Sequence, residues 1–140
     1  MNRGYSLIET VIGLALLSLV IFGASNAYLG RAPKHRLAKA AAEIQTRLNQ
    51  ARYKAVFEGH PFRVRFEPTG YAVEEFDSVI NGWRPEASGT CEGVTIEANN
   101  APTFHPVGTV SNLATITIAN SAGTCRITLA ISGRIRTVWL

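Results

Sequence analysis

The first third of the chain carries two successive apolar patterns of different kinds. From Thr10 to Gly30 the sequence TVIGLALLSLVIFGASNAYLG contains no charged residue, and its apolar positions cover every side of a helix. A helix of that length covers about 31 Å, which matches the hydrocarbon thickness of a bilayer. The pattern therefore predicts a membrane-spanning helix.

The second pattern is amphipathic and begins near Pro33. Apolar residues then recur every three or four positions, which places them on one face of a helix: Leu37, Ala41, Ile44, Leu48, Ala51 and Ala55. Gly59 and Pro61 follow the last of them and favour the end of the helix there. The small alanines on this face predict close packing of the helix on a sheet.

From Phe62 onwards the apolar period changes to two, which is typical of strands. Six strands are predicted: Phe62 to Phe66, Tyr71 to Phe76, Val94 to Glu97, Ala114 to Ala119, Cys125 to Ile131 and Arg134 to Trp139. The stretch from Asn81 to Gly93 is predicted to be irregular. The expected fold is α+β, in which a long N-terminal helix, half transmembrane and half amphipathic, packs on an antiparallel meander.

The charges are distributed unevenly along the chain. The segment from Arg31 to Arg65 is basic, and the segment from Glu67 to Glu97 is acidic. No acidic residue follows Glu97, whereas three arginines do: Arg126, Arg134 and Arg136. Such polarity fits either the packing of subunits or the attraction of a polyanion, and the composition leaves both open.

Glu9 stands at the edge of the apolar helix. A carboxylate costs about 2.5 to 3.5 kcal/mol at the centre of a bilayer and less near its boundary, so a simple anchor has no use for one. Cleavage between Gly4 and Tyr5 would create an α-amino group one helical turn away. That amine, or the one on a neighbouring copy, would pair with the carboxylate.

The segment Gly4-Tyr5-Ser6-Leu7-Ile8-Glu9 resembles the class III signal of type IV prepilins and pseudopilins. The resemblance implies that a prepilin peptidase cuts after Gly4 and methylates the amine of Tyr5, and that Glu9 is the assembly glutamate. It divides the chain into a leader (1–4), a transmembrane and assembly helix (5–30) and a periplasmic α+β head (31–140). The protein would cross the bacterial inner membrane once.

Two other interpretations of the N-terminus stay open. The segment can be an ordinary signal anchor, in which case the prepilin-like residues are coincidental. It can also be a secretory signal peptide, for which the small residues from Ala24 to Ala27 offer a weak cleavage site. The mature protein would then begin beyond Ala24.

The head resembles a narrower group. The sequence AAEIQTRLNQARYKAVFEGHP, residues 41–61, is similar to the start of the head in the FimT and FimU minor pilins and in pseudopilin H of type II secretion. Ile131 to Arg136 resembles the C-terminal GRxR element of that family. The implied function is a minor pilin or pseudopilin that assembles with other subunits into a type IV pilus or a type II secretion pseudopilus.

Arg134 and Arg136 are the candidate binding residues of the head. Residues two apart on a strand point to the same side, so these arginines should reach successive phosphates of a nucleic acid. FimT-type minor pilins of DNA uptake use their GRxR arginines in this way, and the resemblance transfers the role. The alternatives are two solvated arginines or a contact between subunits.

The expected redox state of the two cysteines, Cys91 and Cys125, depends on the compartment of the protein. In the cytosol they would be free thiols, whereas an exported head favours a disulfide between them. Closing a loop of that length would stabilise the fold by about 4 kcal/mol.

No pattern in the sequence indicates catalysis. Asp77 is the single aspartate, and His35, His60 and His105 are isolated from one another. The chain is therefore predicted not to be an enzyme and to use no cofactor. No metal site is expected, since the calcium site of major pseudopilins would need acidic residues after Glu97.

Overall fold

The computed structural model describes the backbone of residues 6–29 and 32–140 and the side chains of residues 6–22 and 32–140. The chain divides into two compact units, Met1–Ala32 and Pro33–Leu140. The second unit contains a helix, nine strands and the apolar core, and it is called the head below.

Helix α1 spans Leu7–Leu29 and forms the first unit. It begins where the carbonyl oxygen of Ser6 accepts hydrogen bonds from the backbone N–H groups of Glu9 (3.0 Å) and Thr10 (3.3 Å). The helical part of the prediction is confirmed, and the membrane-spanning part stays a prediction. Within the described residues, however, no helix has the length and apolarity that crossing a bilayer requires.

Helix α2 spans Ala32–Glu58 and opens the head, with Pro33 in its first turn, where a missing N–H costs nothing. The predicted apolar face is confirmed, and it consists of seven buried side chains: Leu37, Ala40, Ala41, Ile44, Leu48, Ala51 and Ala55. The helix ends before Gly59, whose φ of 78° suits glycine and whose N–H bonds to the carbonyl of Ala55.

The strands form two antiparallel sheets rather than the single predicted meander. Sheet A contains β1 (Phe62–Glu67), β2 (Gly70–Asp77), β3 (Gly82–Thr90), β5 (Thr103–Phe104) and β6 (Val110–Ser111), in the order β3-β2-β1-β5-β6. Sheet B contains β4 (Thr95–Ala98), β7 (Thr115–Asn120), β8 (Gly123–Leu129) and β9 (Ile135–Trp139), in the order β4-β7-β8-β9. The predicted α+β class is confirmed.

Backbone hydrogen bonds join the two sheets. The N–H of Ile96 on β4 donates to the carbonyl of Pro68, which follows β1, at 2.8 Å. The N–H of Val110 on β6 donates to the carbonyl of Ile131, which follows β8, at 2.9 Å. Side chains from α2 and from both sheets then share one apolar core, so the head folds around a single centre.

Strand β3 lies in the stretch that was predicted to be irregular, and this prediction is wrong. Pro85 and Gly89 interrupt its sequence, and most of its side chains are exposed, so it shows no alternation. Its pairing with β2 contains a bulge: Ala87 lies opposite Val73, Pro85 lies opposite Glu74, and Glu86 between them is unmatched. A strand with no buried residue on either face needs no apolar period, because that period arises from the burial of one face.

Candidate functional site

The first turn of α1 carries the carboxylate of Glu9. The side chain is exposed, and it lies where the helix dipole favours a negative charge. Two hydroxyl groups of the same helix bond to its own backbone: Thr10 Oγ1 donates to the carbonyl of Leu7 (2.7 Å) and Ser18 Oγ to that of Ala15 (2.8 Å). Glu9 is the one Asp, Glu, Lys or Arg in the sequence of α1. Its predicted partner, the amine of Tyr5, and the cleavage site at Gly4 lie outside the described residues.

The described side chains of α1 present an apolar surface. Every large apolar side chain from Leu7 to Phe22 is at least 54% exposed. A helix that is apolar on all sides is stable in water only when something covers it, either lipid or other helices. The surface therefore requires a partner from outside α1.

The arginines of sheet B lie on its outer face. Cys125, Ile127 and Leu129 of β8 are buried, so Arg126 between them points outward. Arg136 of β9 lies opposite Thr128, which also points outward. Within the described residues, Arg126, Arg134 and Arg136 form no ion pair.

A shallow hollow of about 260 Å³ brings the two predicted arginines together. It is lined by Thr128, Leu129, Ala130, Arg134 and Arg136. Both guanidinium groups are exposed beside it, so they are available to an anion. The structure thus places the two residues at one site, and their predicted role stays a prediction.

The turn before these arginines is fixed by the helix. Gly133 has a φ of 77°, and a Cβ atom there would lie 2.6 Å from Nε of Arg52 on α2. The same arginine donates from Nη1 to the carbonyl oxygen of Gly133 at 3.4 Å. Only glycine fits both the backbone angle and the close approach of Arg52.

Sheet A pairs its outer charges with one another. Glu74 is 7% exposed and forms an ion pair with Arg63. The guanidinium group of Arg63 lies 4.3 Å from the ring centroid of Trp83, which packs edge-on against Phe76 at 5.4 Å. Among the described residues, the carboxylate of Glu74 is thus compensated by a cation of the same sheet.

A buried polar contact joins α2 to β2. The hydroxyl of Tyr71 donates to the Glu43 carboxylate at 2.7 Å and accepts from Nε of Arg47 at 2.8 Å. Burial, together with the hydrogen bond to Glu43, raises the pKa of Tyr71 above its usual value, and the weaker effect of Arg47 opposes the shift. No pattern in the sequence indicates this contact, because its members are far apart in the chain.

The structure carries Cys91 and Cys125 as free cysteines, so it does not contain the predicted disulfide. Cys91 follows β3 of sheet A and donates its N–H to the carbonyl of Thr69, whereas Cys125 lies within β8 of sheet B. Each side chain is packed in the apolar core. Burial raises the pKa of both thiols, which makes them poor nucleophiles.

The histidines that the sequence analysis singled out are dispersed. His60 lies 3.6 Å from carboxylate oxygens of both Glu58 and Glu75, and His105 Nε2 lies 2.7 Å from Ser111 Oγ. His35 is exposed on α2. In the described part of the chain, no three His, Cys, Asp or Glu side chains are grouped so as to hold a metal ion.

The fold defines a class of protein before any sequence comparison. The fold is similar to that of two solved structures of the minor pseudopilin EpsH from the type II secretion system of Vibrio cholerae. One has a TM-score of 0.64 at 17% identity and covers 74% of this chain and 97% of EpsH. The other has a TM-score of 0.64 at 16% identity and covers 75% and 94%. The head therefore has the pseudopilin fold.

The family follows from the sequence. The family model of the type II transport protein GspH matches residues 40–133, which extend from α2 to the turn before β9. The chain belongs to the GspH family of type II transport proteins. No curated protein matches the chain in sequence.

Proposed function

We propose that this protein is a minor pseudopilin, a subunit of the type II secretion pseudopilus, anchored in the bacterial inner membrane by α1 with its head in the periplasm. The GspH family match and the EpsH-like fold support the assembly role. The observation that carries the anchor is the apolar surface of α1, whose large side chains are exposed from Leu7 to Phe22. The head has a buried apolar core of its own, whereas α1 exposes every large apolar side chain that the structure describes, so α1 needs covering by lipid or by the helices of other subunits.

Assembly then depends on the N-terminal turn. A prepilin peptidase removes the leader after Gly4 and methylates the amine of Tyr5. The carboxylate of Glu9 is exposed in the first turn of α1, where it is available to that amine or to the amine of a neighbouring subunit. The pair lowers the cost of placing a carboxylate in an apolar environment, and it selects a register between adjacent helices.

A substitution of Glu9 tests the assembly role. Glu9→Ala should reduce incorporation of the chain into sheared pseudopili by roughly tenfold or more, which corresponds to the loss of a buried ion pair. Glu9→Gln should fail likewise, since it keeps the shape and loses the charge. Ser18→Ala, an exposed polar position of the same helix, is the matched control. Normal incorporation of both Glu9 variants would refute the role.

Sequencing of the mature N-terminus tests the processing separately. The expected product begins at an N-methylated Tyr5 and stays with the membrane fraction. A product that begins beyond Ala24, released from the membrane, would show that the segment is a secretory signal peptide. An uncleaved N-terminus would identify a signal anchor.

A second candidate function is DNA binding by the head, as in minor pilins of DNA uptake. The observation that favours it is the shared hollow of Arg134 and Arg136, which are exposed and without an ion pair in the described residues. Arg134→Gln combined with Arg136→Gln should abolish salt-sensitive binding of duplex DNA and leave the unfolding midpoint unchanged. If the native protein does not shift DNA at low salt, this candidate is eliminated.

A further inference from the structure

The two sheets of the described head differ in how their edges are protected. On sheet A, β3 carries Pro85 and a bulge, and β6 has only two residues. On sheet B, β4 has four residues. Short strands, prolines, bulges and charged side chains are the usual devices that prevent an edge from pairing with another chain. The fourth edge, β9, has only a charge, on Arg136, and its five residues pair with β8 in an unbroken register.

The hydrogen bonds of β9 show which backbone groups remain open. The carbonyl of Arg134 accepts from the N–H of Ala130 at 3.0 Å, and the N–H of Leu140 donates to the carbonyl of Thr124 at 2.9 Å. Bonded residues alternate along an antiparallel strand, so the even-numbered residues of β9 bond to β8. The N–H and C=O groups of Ile135, Thr137 and Trp139 therefore point to the open edge.

The side chains along this edge have two different characters. Arg134 and Arg136 lie on the outer face, together with Arg126 of the neighbouring strand. The nearest carboxylate along that row of cross-strand partners is Glu97 on β4, two strands beyond Arg126, or about 10 Å away. The opposite face of the edge ends in Trp139, which is 56% exposed although it lies opposite the buried Cys125.

We propose that β9 is a docking edge that takes up an extended segment of a partner protein, in which carboxylates alternate with apolar residues. Such a segment adds a strand to sheet B through the open groups of Ile135, Thr137 and Trp139. Its period of two places the carboxylates beside Arg134 and Arg136. The intervening apolar residues then cover the exposed ring of Trp139.

This inference goes beyond the proposed function, because it concerns the head and does not depend on Glu9 or on the membrane anchor. It also differs from DNA binding through the same arginines. A phosphate backbone would use the guanidinium groups alone, whereas an added strand also uses the backbone row and the apolar face. The two occupants are therefore separable by changing the backbone of β9.

The experiment measures binding of a synthetic peptide of about seven residues to the full chain in a non-ionic detergent. The probe alternates glutamate and valine, and its twin carries glutamine in place of glutamate. The glutamate peptide should bind roughly tenfold more tightly at low salt, because it pairs with the arginines. Arg134→Gln combined with Arg136→Gln should remove that difference. Equal binding of the two peptides to the native chain would overturn the proposal.

A proline on the edge tests the backbone contribution. Thr137→Pro removes an N–H that β8 does not use, so the ladder to β8 is retained while the edge is blocked. Thr137→Pro should weaken binding of the glutamate peptide by roughly tenfold. Thr137→Val is the matched control: it keeps the N–H and removes a hydroxyl that is buried without a hydrogen-bond partner in the described structure, so it should bind as the native chain does.

A change in the peptide repeats this test without altering the protein. N-methylation of alternate peptide amides prevents the peptide from pairing as an added strand, so it should abolish binding to the native chain. This test does not depend on whether Thr137→Pro folds. Binding that survives both Thr137→Pro and N-methylation would overturn the proposal. So would a native chain that binds duplex DNA and neither peptide, because the arginines would then serve a nucleic acid.

Discussion

Two helices of similar length follow each other in this chain, and they treat their apolar residues in opposite ways. Helix α1 has 23 residues and α2 has 27. In α2 the apolar residues form one face that is buried in the head, while in α1 they surround the axis and their described side chains are exposed. The difference shows that the head satisfies its own folding requirements and that α1 depends on a partner outside the chain's core.

The comparison gives each helix a different sensitivity to mutation. A truncated side chain in α2 leaves a cavity in a packed core, whereas one in the described part of α1 removes an exposed side chain and leaves no cavity. Stability of the head and partner binding by α1 should therefore be separable. The following predictions test that separation, beginning with the largest effect.

Truncation of a leucine should distinguish the helices most sharply. Leu48 is fully buried, so Leu48→Ala should lower the free energy of unfolding by about 2 to 5 kcal/mol. Leu16 is 62% exposed, so Leu16→Ala should change it by less than about 0.5 kcal/mol. Urea denaturation in detergent, followed by the fluorescence of Trp83 and Trp139 in the head, measures both. Equal losses would break the comparison.

The next effect concerns the buried carboxylate of sheet A. Glu74→Gln should lower the free energy of unfolding by about 1 to 3 kcal/mol, because it leaves Arg63 without its charged partner. Glu67→Gln is the control, since Glu67 has a 62% exposed side chain and lies 3.7 Å from Arg65. A surface pair of that kind contributes about 0 to 1 kcal/mol. If both substitutions cost the same in urea denaturation, the buried pair is not a structural element of the head.

A smaller effect is expected at the hydroxyl that joins α2 to β2. Tyr71→Phe removes the hydrogen bonds to Glu43 and Arg47 and should cost about 0.5 to 1.5 kcal/mol. Tyr53→Phe makes the same chemical change at a side chain that is 70% exposed and should be neutral. The two variants are compared by their urea midpoints. A neutral Tyr71→Phe would mean that the contact does not hold the helix to the sheet.

The smallest effect is a dependence on pH. Because burial raises the pKa of Tyr71, the folded chain keeps the phenol proton at a pH where the unfolded chain loses it, near 10. The stabilisation by the phenol is therefore complete below about pH 10 and decreases as the pH rises further. The advantage of the native chain over Tyr71→Phe should stay constant up to about pH 9 and shrink as the pH rises above about 10. An advantage that grows with pH would contradict the sign of this shift.

The sequence predicted the elements whose signals are local. The apolar run of α1, the single face of α2 and the alternation of β1 each arise within a few turns or residues, and all three elements are present. The spacing of two residues between Arg134 and Arg136 predicted that both point to the same side, and in the structure both line one hollow.

What the sequence did not predict depends on partners that are distant in the chain. Strand β3 is an edge with Pro85 and a bulge, so its residues carry no strand period and only its pairing with β2 defines it. The division into two sheets arises from register, which no single segment encodes. The disulfide between Cys91 and Cys125 was expected from the oxidising compartment of an exported head, and it stays a prediction; in the structure both side chains are free and lie in the apolar core.

Gly133, the glycine of the GRxR-like element, determines how the two arginines that follow it are oriented. Any side chain at position 133 would collide with Arg52 and strain the turn, so Gly133→Ala should tilt Arg134 and Arg136 away from their shared hollow without changing the charge of the surface. If Gly133→Ala loses ligand binding, the cause would be the changed orientation of the two arginines, since both of them are still present. Arg52 on α2 thus determines the orientation of two arginines that lie about 80 residues later in the sequence.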